Sequence, residues 1–267
     1  ETVRIFGAET PVGKYVADAF EGYPGEAVCV FCPPQERFDE ELDSAAEYIA
    51  DRRPANVLVI SSDEVYTSAD ERRYENSRIS PDTVHGRQCE KAERILGESC
   101  RRAGSVLTVL RPAMMFGTGI GGATMDMFRL VTSGKYFTVR DFKGLRSVVC
   151  ALDAARVARQ LVGTPGVFNV ADPTPRTLHE LADAMSANTG ECKRTPVLVR
   201  KLAAIVARLA DRIPSLRPMW GSEALKEKMT DRILDTTELT RTLPDYKFYD
   251  TVAVISRNDP NYPYQQQ

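Results

Sequence analysis

The sequence predicts an α/β fold: an open, doubly wound parallel sheet with helices on both faces and a small α-rich lobe toward the C-terminus. Three observations lead there. Short β-rich runs alternate with helical stretches. Those runs are apolar throughout instead of alternating, as strands covered on both faces are. The first run meets a glycine turn and then a helix, the usual opening of such a sheet.

The elements follow in order. TVRIF (2–6) is the first strand, and a helix over 11–21 opens at Pro11, a favoured first helical residue. AVCVF (27–31) precedes a helix over 39–52, NVLVIS (56–61) one over 85–103, and VLTVLR (106–111) completes the fourth strand. Pro112 and the glycines at 117, 119, 121 and 122 mark a long loop. Helices over 122–134 and 153–162 then precede the strand VFNVA (167–171). Helices over 177–189, 197–213 and 222–229 belong to the lobe. In 197–213, Leu198, Leu202, Ile205, Val206, Leu209 and Ile213 share one face, and Arg200, Lys201, Arg208, Asp211 and Arg212 fill much of the rest. That apolar face is expected to dock on the lobe; the alternative is a helix lying on a membrane surface. Residues 1–112 with 147–172 are read as the sheet domain, 113–146 with 173–250 as the lobe, and 251–267 as an extended tail.

The 267 residues suit one large domain with a lobe, and a net charge of −2 leaves no excess of cations to coat a nucleic acid. No apolar stretch is long enough to cross a bilayer, although peripheral membrane association stays open. No cationic leader with an apolar core opens the chain, so an intracellular protein is expected. Cysteines 29, 32, 89, 100, 150 and 192 lack the spacing of a disulfide framework and fit a reducing compartment. Cys29 and Cys32 form a C-x-x-C inside a strand, which sends the two thiols to opposite faces. His85 and His179 have no partners at ligand spacing, so no metal is expected.

Two segments carry the signals of a site. In RIFGAETPVGKYVADAF, Gly7, Thr10 and Gly13 hold the positions of a G-x-x-G-x-x-G loop, where backbone N–H groups and a helix N-terminus meet a pyrophosphate. Thr10 replaces the middle glycine, and Pro11 removes an N–H. An ordinary strand–helix turn reads equally well. VLVISSDEVY (57–66) ends a buried strand in Ser61, Ser62, Asp63 and Glu64, where ligands of open parallel sheets collect. These groups could hydrogen-bond a sugar or work as acid and base; they could also simply cap the strand.

With these motifs on the page, the chain resembles the extended short-chain dehydrogenase/reductases of the NAD-dependent epimerase/dehydratase family, whose domain is a Rossmann-like sheet. TVLRPAMMFGTG (108–119) is similar to the family's LRP-x-x-VYG-x-G, which carries Arg111 and Pro112 over as cofactor-side residues. RSVVCALDAARVA (146–158), with Asp153, and GVFNVADPTPRTLHELADAM (166–185) resemble two further family segments, and MTDRILDTTELTRTLPDYKF (229–248) resembles the C-terminal run of nucleotide-sugar epimerases. SSDEVY (61–66) is similar to the S-T-D-E-V-Y of sugar-nucleotide 4,6-dehydratases, which implies acid and base roles for Asp63 and Glu64.

The departures are as informative. Against the family's YGRSK, the chain reads HGRQC, so His85 stands at the catalytic Tyr and Cys89 at the Lys. Lys91 lies about 200° around a helix from Cys89 and cannot substitute for the missing cation. The first helix passes through EGYPGE straight into AVCVFCPPQ, so one or two strand–helix units that cradle adenosine are missing, and the acidic ribose contact is replaced by Cys32-Pro33-Pro34. Taken with the resemblance, this predicts a catalytically degenerate member that binds NAD(P) weakly or not at all and serves as an accessory subunit among protein partners. Mitochondrial respiratory complex I, which has an accessory subunit of this atypical family, is the candidate assembly and the mitochondrion the candidate compartment, the cytoplasm being the alternative. Two other readings stand beside it: an active nucleotide-sugar epimerase/dehydratase using Asp63, Glu64 and His85, and a nucleotide-binding regulatory module.

Overall fold

The computed structural model describes residues 2–34, 36–189 and 194–256. A five-stranded parallel sheet is formed by β1 (Val3–Phe6), β2 (Val28–Phe31), β3 (Asn56–Ile60), β5 (Val106–Pro112) and β9 (Gly166–Val170), side by side in that order. The two-residue β4 (Arg72–Arg73) lies outside it, as do β6 (Met114–Phe116), β7 (Thr138–Val139) and β8 (Val148–Cys150). All five sheet strands fall where the apolar runs predict them.

Both faces of the sheet are covered, which explains the unbroken apolar runs. Val28, Val30, Leu58, Ile60 and Leu110 pack against α1 (Pro11–Phe20) and α5 (Ala151–Leu161). Cys29, Phe31, Val57, Val59 and Val109 point the other way, onto α2 (Phe38–Arg52) and α3 (Val84–Ala103). Cys29 and Cys32 accordingly lie in different clusters as buried free thiols; Cys192 lies outside the described residues.

The sheet is shortened on one side. α1 leads directly to β2, which pairs with β1, so β1 is an edge strand. The steps β1 to β2 and β2 to β3 run the same way across the sheet, yet α1 and α2 lie on opposite faces. Two such crossovers must have opposite hands, so one of them breaks the strong right-handed preference. In a complete doubly wound sheet the chain leaves α1 toward strands outside β1. Here α1 keeps that face while the chain turns inward.

Beyond β5 the chain builds the lobe. α4 (Gly122–Thr132), α6 (Leu178–Asn188) and the paired β6 and β8 enclose one apolar cluster. β10 (Val197–Leu198) pairs with β7, and α7 (Arg200–Ala210), α8 (Arg217–Trp220) and α9 (Ser222–Met229) gather beside them. β11 (Ile233–Leu234) pairs with β4, and α10 (Thr237–Thr242) follows. Asp153 in the first turn of α5 accepts hydrogen bonds from the Tyr246 hydroxyl at 2.7 Å and the Tyr249 N–H at 2.8 Å, tying the C-terminal segment to the sheet domain.

Two expectations are corrected. The segment from 251 begins as α11 (Thr251–Ile255) and not as a tail, because Asp250 caps it and Thr251, Val254 and Ile255 are buried; residues 257–267 lie outside the described residues. α7 docks by its small residues Ala203, Ala207 and Ala210, leaving Leu202, Ile205 and Leu209 exposed. A stripe of alanines lets the helix approach Phe137, Val139 and Leu225 closely, and that seam takes precedence over the larger apolar face.

Candidate functional site

The predicted site residues follow β1 (Gly7, Thr10, Gly13) and β3 (Ser62, Asp63, Glu64), open α3 (His85, Cys89) or end β5 (Arg111, Pro112). After β1 the chain turns at Gly7, whose φ of +77° favours glycine and where a Cβ would lie 2.0 Å from the Cys32 carbonyl oxygen. A Cβ on Gly13 would lie 2.0 Å from the Gly7 oxygen, so α1 sits directly on the turn. Both glycines are thus required by backbone packing, with or without a ligand. Thr10 caps α1: its hydroxyl donates to the Gly7 oxygen at 2.7 Å and accepts from the Gly13 N–H at 2.9 Å. Pro11 has no N–H and the Gly13 N–H is already taken, so two of the three first-turn amides are lost to a phosphate. Glu9, exposed in the same turn, adds a negative charge where a pyrophosphate would need a positive field. Above this turn the Tyr15 hydroxyl reaches the Thr118 carbonyl at 3.3 Å.

After β3 the chain enters a single 3₁₀ turn, Asp63–Val65, capped by the Ser62 hydroxyl. The N-terminus of α3 presses against it. Thr83 caps α3 by accepting from the Gly86 N–H at 2.9 Å, and its hydroxyl donates to the Glu64 carboxylate. One turn on, His85 Nε2 lies 3.6 Å from Cys89 Sγ, while the buried His85 Nδ1 has no hydrogen-bond partner among the described residues. Cys89 is 0% exposed. Burial, reinforced by Glu93 and Glu64, pushes its thiol far above the ordinary value, so it stays neutral. Lys91 points elsewhere, pairing with Asp39 of α2 at 2.7 Å.

Beneath Ser61 and Cys89 runs a buried polar chain that the sequence motifs do not announce. Arg111 donates to both carboxylate oxygens of Glu93, at 2.9 and 2.6 Å, and to the Tyr66 hydroxyl at 3.0 Å. Ser61 donates to Glu93 at 2.5 Å. The Tyr66 hydroxyl donates to Asn169 Oδ1 at 2.7 Å, and the Asn169 N–H reaches the Glu75 carboxylate at 3.0 Å. Burial alone would lower the Arg111 pKa, but the Glu93 carboxylate outweighs it and holds the guanidinium charged. Pro112, the last residue of β5, stands in register with Val170. Asp63 meets Arg73 at 2.9 Å; burial raises its pKa and Arg73 opposes the rise.

The candidate residues therefore form three groups: the Gly7, Thr10 and Gly13 turn; Ser62, Asp63, Glu64, His85 and Cys89 where the 3₁₀ turn meets α3; and Arg111 with Pro112 beneath. Glu93, Tyr66, Arg73 and Asn169 are the members that sequence reading missed. An open depression of about 450 Å³, lined by Gln160 and residues 242–247, lies beside the last turn of α5.

No protein-family model matches the chain, and no curated protein matches it. Solved structures do. A UDP-N-acetylglucosamine 4-epimerase from Bacillus cereus superposes with a TM-score of 0.66 at 14% identity, over 96% of this chain and 97% of that one. A dTDP-glucose 4,6-dehydratase from Bacillus anthracis, in complex with NAD, gives 0.66 at 12% identity over 96% and 94%. The human epimerase family protein SDR39U1, with NADPH, gives 0.66 at 16% identity over 97% and 99%. The chain has the fold of these epimerase and dehydratase structures.

On this fold a dinucleotide would cross the strand ends, and the residues present do not fit one. The phosphate turn keeps only one of its three first-turn amides for a ligand, β2 ends in Cys32-Pro33-Pro34 with no acidic residue for a ribose, β1 is the edge of the sheet, and a buried neutral thiol replaces the lysine of the resemblance.

Proposed function

We propose that this chain is a catalytically degenerate short-chain dehydrogenase-fold protein that serves as a structural accessory subunit of a larger assembly, with mitochondrial respiratory complex I as the candidate. Cys89 carries the reading. A buried thiol raised in pKa supplies neither the cation that would lower the pKa of a proton-shuttling neighbour nor a ribose contact. His85 sets its Nε2 on that neutral thiol and has its Nδ1 buried without a hydrogen-bond partner among the described residues. Asp63, the acid of the alternative reading, is committed to Arg73. Two neighbouring structures hold NAD or NADPH; against that, the Thr10 cap, Pro11 and the buried Cys89 favour at most weak occupancy here.

Isothermal titration of the full chain with NAD⁺, NADH, NADP⁺ and NADPH, followed by turnover assays on UDP- and dTDP-sugars, tests this. The expected result is binding no tighter than millimolar and no turnover. Micromolar binding with turnover of any sugar nucleotide overturns it; micromolar binding without turnover replaces it with the regulatory reading. Native electrophoresis of a source extract should place the chain in a stable complex, and migration as a free monomer would refute the accessory role.

A further inference from the structure

The apolar face of α7 is turned outward. Leu202, Ile205, Leu209 and Ile213 are 47%, 56%, 54% and 45% exposed, and Val197, Val199 and Leu216 extend the same surface at either end. At about 100° per residue, Leu202, Ile205, Leu209 and Ile213 fall within roughly 80° of one another, while the docked alanines lie on another side. The face is thus a ridge of aliphatic side chains that no element among the described residues covers. Lone exposed leucines need no explanation, but a contiguous ridge does.

Charge identifies what would cover it. Lys201, Arg208 and Arg212 form an exposed row along one flank of the ridge and enter no ion pair among the described residues. Residues 197–217 hold five cations against the single carboxylate Asp211, in a chain whose net charge is −2. Protein interfaces favour aromatic and methionine anchors at their centres, and this ridge has only Leu, Ile and Val. Aliphatic bulk bordered by Lys and Arg is the composition of a helix lying in the plane of an anionic membrane, with long basic side chains reaching the headgroups. Among the described residues no helix is long and apolar enough to cross a membrane.

We propose that α7 and the turn after it dock the protein on an anionic phospholipid bilayer, with Leu202, Ile205, Leu209 and Ile213 in the acyl boundary and Lys201, Arg208 and Arg212 at the headgroups. The inference is independent of whether the chain catalyses anything. Flotation of the full chain with vesicles of phosphatidylcholine alone, and of phosphatidylcholine mixed with phosphatidylserine, tests it. Partition should favour the mixed vesicles and fall steeply with salt. The triple variant Lys201→Glu, Arg208→Glu, Arg212→Glu should lose on the order of a hundredfold. The triple variant Leu202→Ser, Ile205→Ser, Leu209→Ser, altered only at exposed positions, should lose about tenfold or more. Failure to float with either vesicle, equal partition into both, or indifference to either triple variant overturns the proposal. So does wild-type self-association by light scattering that the serine variant abolishes while vesicle binding is absent, since the ridge would then be a contact between copies.

Discussion

Two regions at the same end of the sheet have diverged. The turn after β1 has the shape of a phosphate loop, including the close backbone approaches at Gly7 and Gly13, but Thr10 takes the Gly13 N–H and Pro11 has none to give. The junction under β3 and β5 keeps a chain of polar groups in which Glu93, Arg111, Tyr66 and Asn169 satisfy one another. In the second region buried polar groups pair with one another and hold the strands to α3; in the first, Thr10 takes one first-turn amide and Pro11 offers none. The comparison separates what stabilises this fold from what a cofactor requires.

The largest test of that separation is Arg111→Ala. Removing one partner of a buried pair leaves the Glu93 charge uncompensated, and the variant should lose about 3–5 kcal/mol in urea unfolding. A loss below about 1 kcal/mol, the range of an exposed pair, would show that the junction carries no such load.

Next is the turn itself. Gly7→Ala forces a Cβ into the Cys32 carbonyl at a positive φ and should cost about 1–3 kcal/mol in the same measurement, leaving dinucleotide titration heats as weak as before. A neutral Gly7→Ala would mean that the turn relaxes freely and was kept for another reason.

The buried thiols sharpen the contrast through pH. Cys29 and Cys32 are both pushed up from 9.0 to about 12 by burial, and Cys89 rises further. A folded pKa above the unfolded one means that, past pH 9, the unfolded chain releases protons the native state still holds. Stability is therefore fully present below pH 9 and falls as pH rises toward the folded values, by about 1.4 kcal/mol per pH unit for each thiol. Cys89→Ala should reduce the slope between pH 9 and 11 by that amount in denaturant midpoints. An unchanged slope would mean that Cys89 reaches solvent.

The sheet was legible in the sequence because burial on both faces writes unbroken apolar runs, and the missing units were legible because EGYPGE leads directly into β2. The Gly7 to Gly13 turn was legible because its cap and the approach of Gly13 to Gly7 are local. The partners of Arg111 were not: Glu93 on α3 and Tyr66 after β3 stand 18 and 45 residues away, with no spacing to announce them. Nor was the seam of α7, since periodicity marks an apolar face without saying whether that face or a stripe of alanines will dock.

The smallest expected effect belongs to restoring the missing pair. In His85→Tyr with Cys89→Lys, the new ammonium would stand within reach of Glu93, Glu64 and Asp63, the charges that already act on Cys89. Those carboxylates should capture it, so the variant folds while its amine is neutralised within the protein. Affinity for NAD⁺ and NADPH by titration should change less than about threefold, because Thr10 still caps the phosphate turn and β1 is still the edge of the sheet. A gain of tenfold or more would mean that two side chains alone separate this chain from a nucleotide-binding one. The loss at the β1 turn would then be a consequence of the change at α3, and the two regions would no longer be independent.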